Sequence, residues 1–329
     1  MSNRPHISLV MTVRNEANAL PRLLDSLSAQ TVRPDEVVIV DGGSTDGTQE
    51  VIRAYAGRLP MPVRLIEQPG ANIAEGRNRA ISEAAHDIVA VTDAGVRLDL
   101  RWLEELSELL SNPDVDVVSG FFMSDPKTHF ELAMGATVLP DVEEIKPKTF
   151  LPSSRSIAFR KSVWEEIGGY PEWLDYCEDL VFDMRLKEAG CRFVFAPQAV
   201  VYFRPRSTLR AFFHQYFRYA RGDGKADLWR KRHAIRYATY SVGPLVALCG
   251  WRHRRSLPGK LTLAAGGLAA FGYCRRPYTR LFPTLRDLPL SSALYALALV
   301  PLIRLTGDIA KMLGYPVGVL WRIKHRRRL

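Results

Sequence analysis

The chain has 329 residues, 45 of them Lys or Arg against 35 Asp or Glu, a formal charge of +10, with 47% hydrophobic and 10% aromatic residues. That length exceeds one small core and fits one large domain or two, and the apolar content excludes a disordered chain. The positive excess gathers after Arg204, above all in Trp251 to Arg255 and Arg322 to Leu329, beside apolar stretches and without a recognisable nucleic-acid module; an anionic membrane surface is the expected partner, and nucleic acid is not.

Ile7 to Val13 reads as a buried strand, followed by the polar turn Arg14 to Asn18 and an amphipathic helix from about Ala19 to Ala29, with Leu20, Leu23, Leu24 and Leu27 on one face. Glu36 to Val40 is the second strand. It ends in the Gly-rich turn Asp41 to Thr48, which opens a helix through Ala56. Val63 to Glu67 is a third strand, Asn72 to Ala85 a helix carrying Arg77 and Arg79, and Ile88 to Thr92 a short strand buried on both faces. That strand delivers Asp93 to its carboxyl end, where the acid either caps the following turn or meets a ligand, since open α/β sheets bind ligands outside the carboxyl ends of their strands.

The alternation continues with a helix over Arg101 to Leu110 and a strand over Val115 to Phe122. Met123 to Pro152, with Pro126, Pro140, Pro147 and Pro152, reads as loops and a short helix. A strand at Ser156 to Phe159, a helix at Lys161 to Ile167, and a helix opened by Glu178 and Asp179 and closed by Gly190 follow, then short strands at Arg192 to Phe195 and Val200 to Phe203. Short loops between alternating strands and helices predict a parallel sheet with helices on both faces.

Composition shifts after Pro205. Thr208 to Arg221 is a basic, aromatic helix broken by Gly222, Asp223 and Gly224, and four apolar stretches follow: Ala234 to Trp251, Leu257 to Cys274, Leu288 to Ile303 and Leu305 to Trp321. The first three are candidate membrane spans and the fourth, with Asp308 and Lys311, an interfacial amphipathic helix. Cys177, Cys191, Cys249 and Cys274 show no metal spacing and read as reduced, mostly buried thiols. Met1 to His6 lacks a leader pattern, so the first domain is expected to stay in the cytoplasm.

The segments ISLVMTVRNEANALPRLLDSLSAQ, VVIVDGGSTDGT, ANIAEGRNRAISEAAHDIVAVTDAGV, SIAFRKSVWEEIGGYPE and YCEDLVFDMRLKEAG occur in this order across most of residues 7 to 221. The ordered set resembles the family 2 glycosyltransferases. The resemblance implies an α/β GT-A fold, Rossmann-like, with a mixed, mainly parallel sheet and helices on both faces, over residues 1–225. An α-helical, membrane-associated region over 226–329 would follow it.

By that resemblance Thr12, Arg14 and Glu16 line a nucleotide pocket, Asp41 holds base or ribose, and Arg77 reaches toward base or diphosphate. Asp93 matches the first acid of the DxD motif, but Gly95 stands where the second should be. A divalent cation, Mg2+ or Mn2+, would therefore have Asp93 as its one protein ligand. Glu178 and Asp179 match the ED motif, with Asp179 as the base that deprotonates the acceptor and Glu178 placing the helix or the acceptor. Gln215, Arg218 and Tyr219 resemble QxxRW with Tyr in place of Trp, a helix expected near acceptor and diphosphate. Plainer roles stand beside these: a solvated face for Arg79, a loop role for Glu16, helix capping for Glu178 and Asp179, and lipid docking for the Gln215 helix.

The function so implied is a membrane-attached, cytosol-facing, inverting glycosyltransferase. Its donor would be a nucleoside-diphosphate sugar of the UDP or GDP type, and its acceptor a lipid or glycan hydroxyl. The rival expectations are a polyprenyl-phosphate sugar synthase and a catalytically silent nucleotide-sugar-binding protein. Oligomeric state is not legible.

Overall fold

The structure is a computed structural model and describes residues 4–325; the end of the basic tail, 326–329, lies outside them. Close packing divides the described chain into two units, 4–125 with 141–204, and 126–140 with 205–325. The sequence reading sets its boundary at 225, whereas packing places 205–225 with the C-terminal helices.

The first unit opens with β1 (Ile7–Val13), α1 (Leu20–Ser28), β2 (Glu36–Asp41), α2 (Thr48–Ala56), β3 (Val63–Glu67), α3 (Ile73–Glu83) and β4 (Ile88–Val91). There follow β5 (Val96–Leu98), α4 (Trp102–Leu110) and β6 (Val117–Ser124). The next helix, α5 (His129–Val138), belongs to the second unit. The first then resumes with β7 (Ile157–Arg160), α6 (Lys161–Glu166), α7 (Glu178–Glu188) and β8 (Phe193–Phe203).

One 8-stranded sheet runs in the order β3-β2-β1-β4-β7-β6-β8-β5. The first four strands are parallel, β7 is antiparallel to both β4 and β6, and β8 is parallel to β6. Alternate residues feed two cores. Leu9, Met11 and Val37 pack with Leu23, Leu27 and Trp102, while Val10, Val38 and Val40 pack with Ile81 and Phe182. Both faces of the parallel strands are thus covered, as continuous apolar runs such as VVIV require. One strand expectation is corrected, since the two short strands expected at 192–203 are one, both halves finding a partner in β6; β5, which the sequence reading lacks, is a three-residue strand paired antiparallel with β8.

The second unit holds α5, α8 (Leu209–Lys225), α9 (Arg230–Arg252), α10 (Leu257–Leu285) and α11 (Leu290–His325). Gly222 and Gly224 do not break α8; the helix runs through them. A Cβ at Gly224 would stand 2.3 Å from the Tyr315 carbonyl oxygen, so the missing side chain lets α8 lie against α11. The third and fourth apolar stretches are likewise one helix, α11, continuous across Arg304. Among the described helices only α11 is long and apolar enough to cross a membrane; α9 begins in a basic segment, and α10 turns basic at Arg275. A polar knot about the buried Asp308 joins the three long helices: Asp308 of α11 accepts from Arg236 Nε (2.8 Å), the Tyr240 hydroxyl (3.0 Å) and the Tyr273 hydroxyl. The described cysteines are free thiols, of which Cys274 is buried and Cys249 exposed.

Candidate active site

Parallel register brings three polar side chains to one edge of the sheet. Val13 of β1 pairs with Asp41 of β2, and Val10 pairs with Val91 of β4, so Thr12, Asp41 and Asp93 all issue from neighbouring carboxyl ends. Asp41 is fully buried. Its Oδ1 accepts from the Gly43 and Ser44 amides (2.8 and 2.7 Å), which folds the Gly-rich turn back on the strand. Its Oδ2 and the Thr12 Oγ1 are buried without a hydrogen-bond partner. A buried polar atom left unpaired costs about 1–3 kcal/mol, which a ligand hydroxyl or N–H bonding these oxygens would recover.

The loop after β1 is laced to the turn after β2. The Asn15 amide donates to Ser44 Oγ (2.8 Å), the Glu16 amide to Thr48 Oγ1 (2.8 Å) and the Ala17 amide to Asp46 Oδ2 (3.1 Å). Glu16 thereby has a clear backbone role, while Arg14 is exposed with its Cδ beside Gly42.

Helix α3 starts with a capping box, in which Asn72 Oδ1 accepts from the Ala74 and Glu75 amides while Glu75 accepts from the Asn72 amide. Its first turn then passes so near β1 that a Cβ at Gly76 would stand 2.4 Å from Thr12 Cγ2. Gly76→Ala is therefore expected to displace α3 or the Thr12 side chain and to destabilise the fold by about 1–3 kcal/mol, read from the shift in denaturant midpoint.

That approach sets Arg77, only 2% exposed, among carboxylates. Its Nη1 donates to Glu178 Oε1 (2.6 Å) and its Nη2 to Asp93 Oδ1 (2.8 Å). The second Asp93 oxygen lies 3.4 Å from Arg155 Nε. Tyr170 lies under the guanidinium at 5.4 Å and stacks on Phe182. Burial works against the charge on Arg77, but Asp93 and Glu178 outweigh it and hold the guanidinium protonated. Burial likewise pushes Asp93 up, and the two arginines more than reverse this, leaving its carboxyl below the usual range. Burial and the adjacent Asp179 carboxylate push Glu178 up to about 7, against the pull of Arg77.

Glu178 and Asp179 begin α7, whose first turn favours negative charge. Cys177, just before it, has φ 66°, left-handed backbone that aims the first turn. Asp179 is half-buried, and its Oδ1 accepts from the Leu180 amide (2.8 Å). One turn further, Asp183 is buried with Oδ2 unpartnered; burial and then the Asp179 charge push its carboxyl well above the ordinary range.

Of the residues named from sequence, Arg77, Asp93 and Glu178 are in direct contact, Asp179 adjoins them, and Thr12 and Asp41 lie at the neighbouring strand ends. Gln215, Arg218 and Tyr219 lie on α8 of the second unit, where Gln215 Nε2 donates to the Tyr219 hydroxyl (2.8 Å). Sequence reasoning missed Arg155, Tyr170 and Asp183. Arg155 precedes the SIAFRK segment by one residue and reaches Asp93 only because β7 runs antiparallel to β4. A hollow of about 570 Å3 lined by Gln68, Asn78, Trp164 and Glu172 contains none of the clustered acids.

The same geometry tests the fit to a divalent cation. Both oxygens of Asp93 face arginines, a Cβ at Gly95 would meet open space where a second acid could have stood, and no group of three or more His, Cys, Asp or Glu side chains with metal-holding geometry occurs among the described residues. The donor set does not fit an ion held by the protein alone.

Comparison with known proteins decides the family. The profile described as glycosyl transferase family group 2 matches residues 88–322, and that of glycosyl transferase family 2 matches residues 8–165. The chain belongs to the family 2 glycosyltransferases. This glycosyltransferase is 26% identical over 223 residues to the O-antigen chain rhamnosyltransferase RfbN of Salmonella typhimurium, covering 64% of this chain and 70% of that one. It is 29% identical over 268 residues to the succinoglycan biosynthesis protein ExoA of Rhizobium meliloti, covering 74% and 78%. A solved structure, the mannosyltransferase PcManGT from Pyrobaculum calidifontis in complex with GDP-Man and Mn2+, is 22% identical, with TM-score 0.59 over 97% of this chain and 88% of that one. The shared fold is GT-A.

Proposed function

We propose that this glycosyltransferase moves a sugar, with inversion at the anomeric carbon, from a UDP- or GDP-type nucleoside-diphosphate sugar to an acceptor hydroxyl on a lipid or lipid-linked glycan. The observation that carries the reading is the run of charge Glu178–Arg77–Asp93–Arg155 beside the unpartnered Asp41 and Thr12 oxygens, at strand ends where α/β sheets bind nucleotides. Asp41 and Thr12 accept from base or ribose, with Arg14 and Glu16 at the pocket's wall. Arg155 faces the diphosphate, and Arg77, buried between two acids, fixes the floor. Asp179 takes the proton of the acceptor hydroxyl as its oxygen bonds to the anomeric carbon and the bond to the diphosphate breaks. Glu178, spent on Arg77, positions the helix that carries Asp179. The names of RfbN and ExoA favour a growing glycan as acceptor.

Residues 1–225 form the catalytic part in this reading, and 226–329 attach it to the cytoplasmic face of a membrane. The apolar α11, the exposed apolar side chains of α9 and α10, and the basic tail support attachment. Gln215, Arg218 and Tyr219 then serve acceptor and diphosphate. A scan of nucleoside-diphosphate sugars by thermal shift tests the donor assignment: one base is expected to raise Tm, and no response to any donor would sink it.

The GDP-Man and Mn2+ in the related structure suggest a divalent cation here too. With Asp93 as its one acid, Mg2+ or Mn2+ would be recruited with the donor rather than before it. The expected result is that Mn2+ alone leaves Tm unchanged, whereas Mn2+ added with the donor raises it above the donor alone. A shift from Mn2+ alone would show a protein-held ion instead.

A further inference from the structure

Within the second unit, α10 and α11 line an open hollow of about 410 Å3 bordered by Gly272, Tyr273, Arg275, Arg276, Thr279 and Arg304. Its charged lining is three arginines and no acid. Asp308, one turn along α11 from Arg304, is already held by Arg236, Tyr240 and Tyr273. Arg304 lies over the Tyr273 ring at 3.9 Å, and its Nε is buried with no acceptor. Arg275 and Arg276 are exposed, and no carboxylate within ion-pair distance of either is found among the described residues. Three guanidinium groups gathered about one hollow repel one another, and an anion between them would turn that repulsion into attraction. Guanidinium forks match phosphate oxygens two at a time, and three of them match a terminal phosphate or a diphosphate better than a singly charged diester.

The place of the hollow along α10 says where such a phosphate would come from. Residues 257–274 precede it with Lys260 as their one charged side chain, an apolar run of about 27 Å at 1.5 Å per residue. Leu261, Leu268 and Phe271 on this stretch are 60%, 73% and 64% exposed. The helix turns basic immediately after it, at Arg275 and Arg276. Acyl chains would lie along Leu268 and Phe271 with the headgroup at the arginines.

We propose that the Arg275, Arg276 and Arg304 pocket binds the terminal phosphate or diphosphate headgroup of a membrane lipid. The proposal rests on the membrane attachment put forward above.

The test uses the purified full-length chain and phosphatidylcholine vesicles doped with either phosphatidic acid or phosphatidylserine, matched in surface charge. The wild type is expected to prefer phosphatidic acid by about tenfold. The variant R275Q/R276Q/R304Q should bind both vesicles equally, and R252Q/R254Q/R255Q, which removes the same charge from the end of α9 and the turn after it, should keep the preference. Should the triple variant fail to fold, R275Q/R276Q, which alters two exposed side chains, carries the comparison with the preference reduced to about threefold or less. Equal binding of both vesicles by the wild type, or a preference that survives in the pocket variants, overturns the proposal. No binding to any vesicle overturns membrane attachment itself. Inorganic pyrophosphate separates that case: if it raises the Tm of the wild type but not of the pocket variant while no vesicle binds, the pocket serves a soluble diphosphate and the lipid assignment falls.

Discussion

Asp179→Asn is expected to lower turnover by about 10² to 10⁴ while leaving the donor bound and the fold intact, because general-base help contributes about that much. Asn still offers an oxygen to the Leu180 amide that Asp179 Oδ1 accepts from. Loss of the helix N-terminal interaction costs about 0.3–1 kcal/mol. Removing the Asp179 charge also relieves Glu178, one of whose upward pushes comes from that carboxylate, so its pKa should fall below about 7 and offset part of the cost. The measurement is kcat and KM for transfer, or for donor hydrolysis where no acceptor is in hand, beside the thermal midpoint. A hydroxyl acceptor whose transfer survives in the variant would remove Asp179 as base. An acceptor phosphate, already ionised, would lose only a few-fold, and that result would select the polyprenyl-phosphate synthase. Hydrolysis or transfer that appears with some donor and vanishes in the variant rules out a silent binding protein.

The strands of the first unit were legible because they are continuous apolar runs between turn residues, and Ile7 to Val13 and Val63 to Glu67 coincide with the observed strands to the residue. The antiparallel insertion of β7 between β4 and β6 was not, since a buried strand reads the same in either direction. Arg155 was lost with it: its contact with Asp93 depends on that direction, not on any local pattern. Gly222 and Gly224 misled for a related reason, because glycine marks both a break and a close helix contact, and only the partner helix, here α11, tells which. Asp93, Arg77 and Glu178 were named for contact with donor or acceptor; that the three hold one another first is a fact of burial, which spacing does not carry. Helices α9 to α11 were visible as apolar stretches, but their ends were not, since Arg304 interrupts the composition of α11 without interrupting its hydrogen bonding.

Arg77→Met should have the largest effect on stability, about 3–5 kcal/mol at neutral pH, because it removes the cation from between two carboxylates and fills the space with an apolar chain. Arg155 remains to Asp93, but Glu178, nearly as buried as Arg77, loses the partner at 2.6 Å. The pH dependence follows from the two acids. In the wild type the Asp93 carboxyl is held below its ordinary value, so its contribution is present above an unfolded pKa of about 4 and is lost as pH falls through the folded value. In the variant both acids lose Arg77: the folded value of Asp93 rises, that of Glu178, already about 7 in the wild type, rises further, and the folded form gains as pH falls and they take up protons. The gap between wild type and variant therefore narrows toward pH 4 and widens as pH rises through about 7, where Glu178 ionises in the wild type but is still protonated in the variant. Arg77→Lys should recover little, since one ammonium cannot present two parallel donors to carboxylates on α7 and beyond β4. Denaturant unfolding across pH 4–8 measures this, with Arg77→Met/Glu178→Gln as the deciding variant. Removing the stranded acid should restore a large part of the loss, and a double variant no more stable than Arg77→Met would show that Arg77 acts through packing on Tyr170 rather than through its charge.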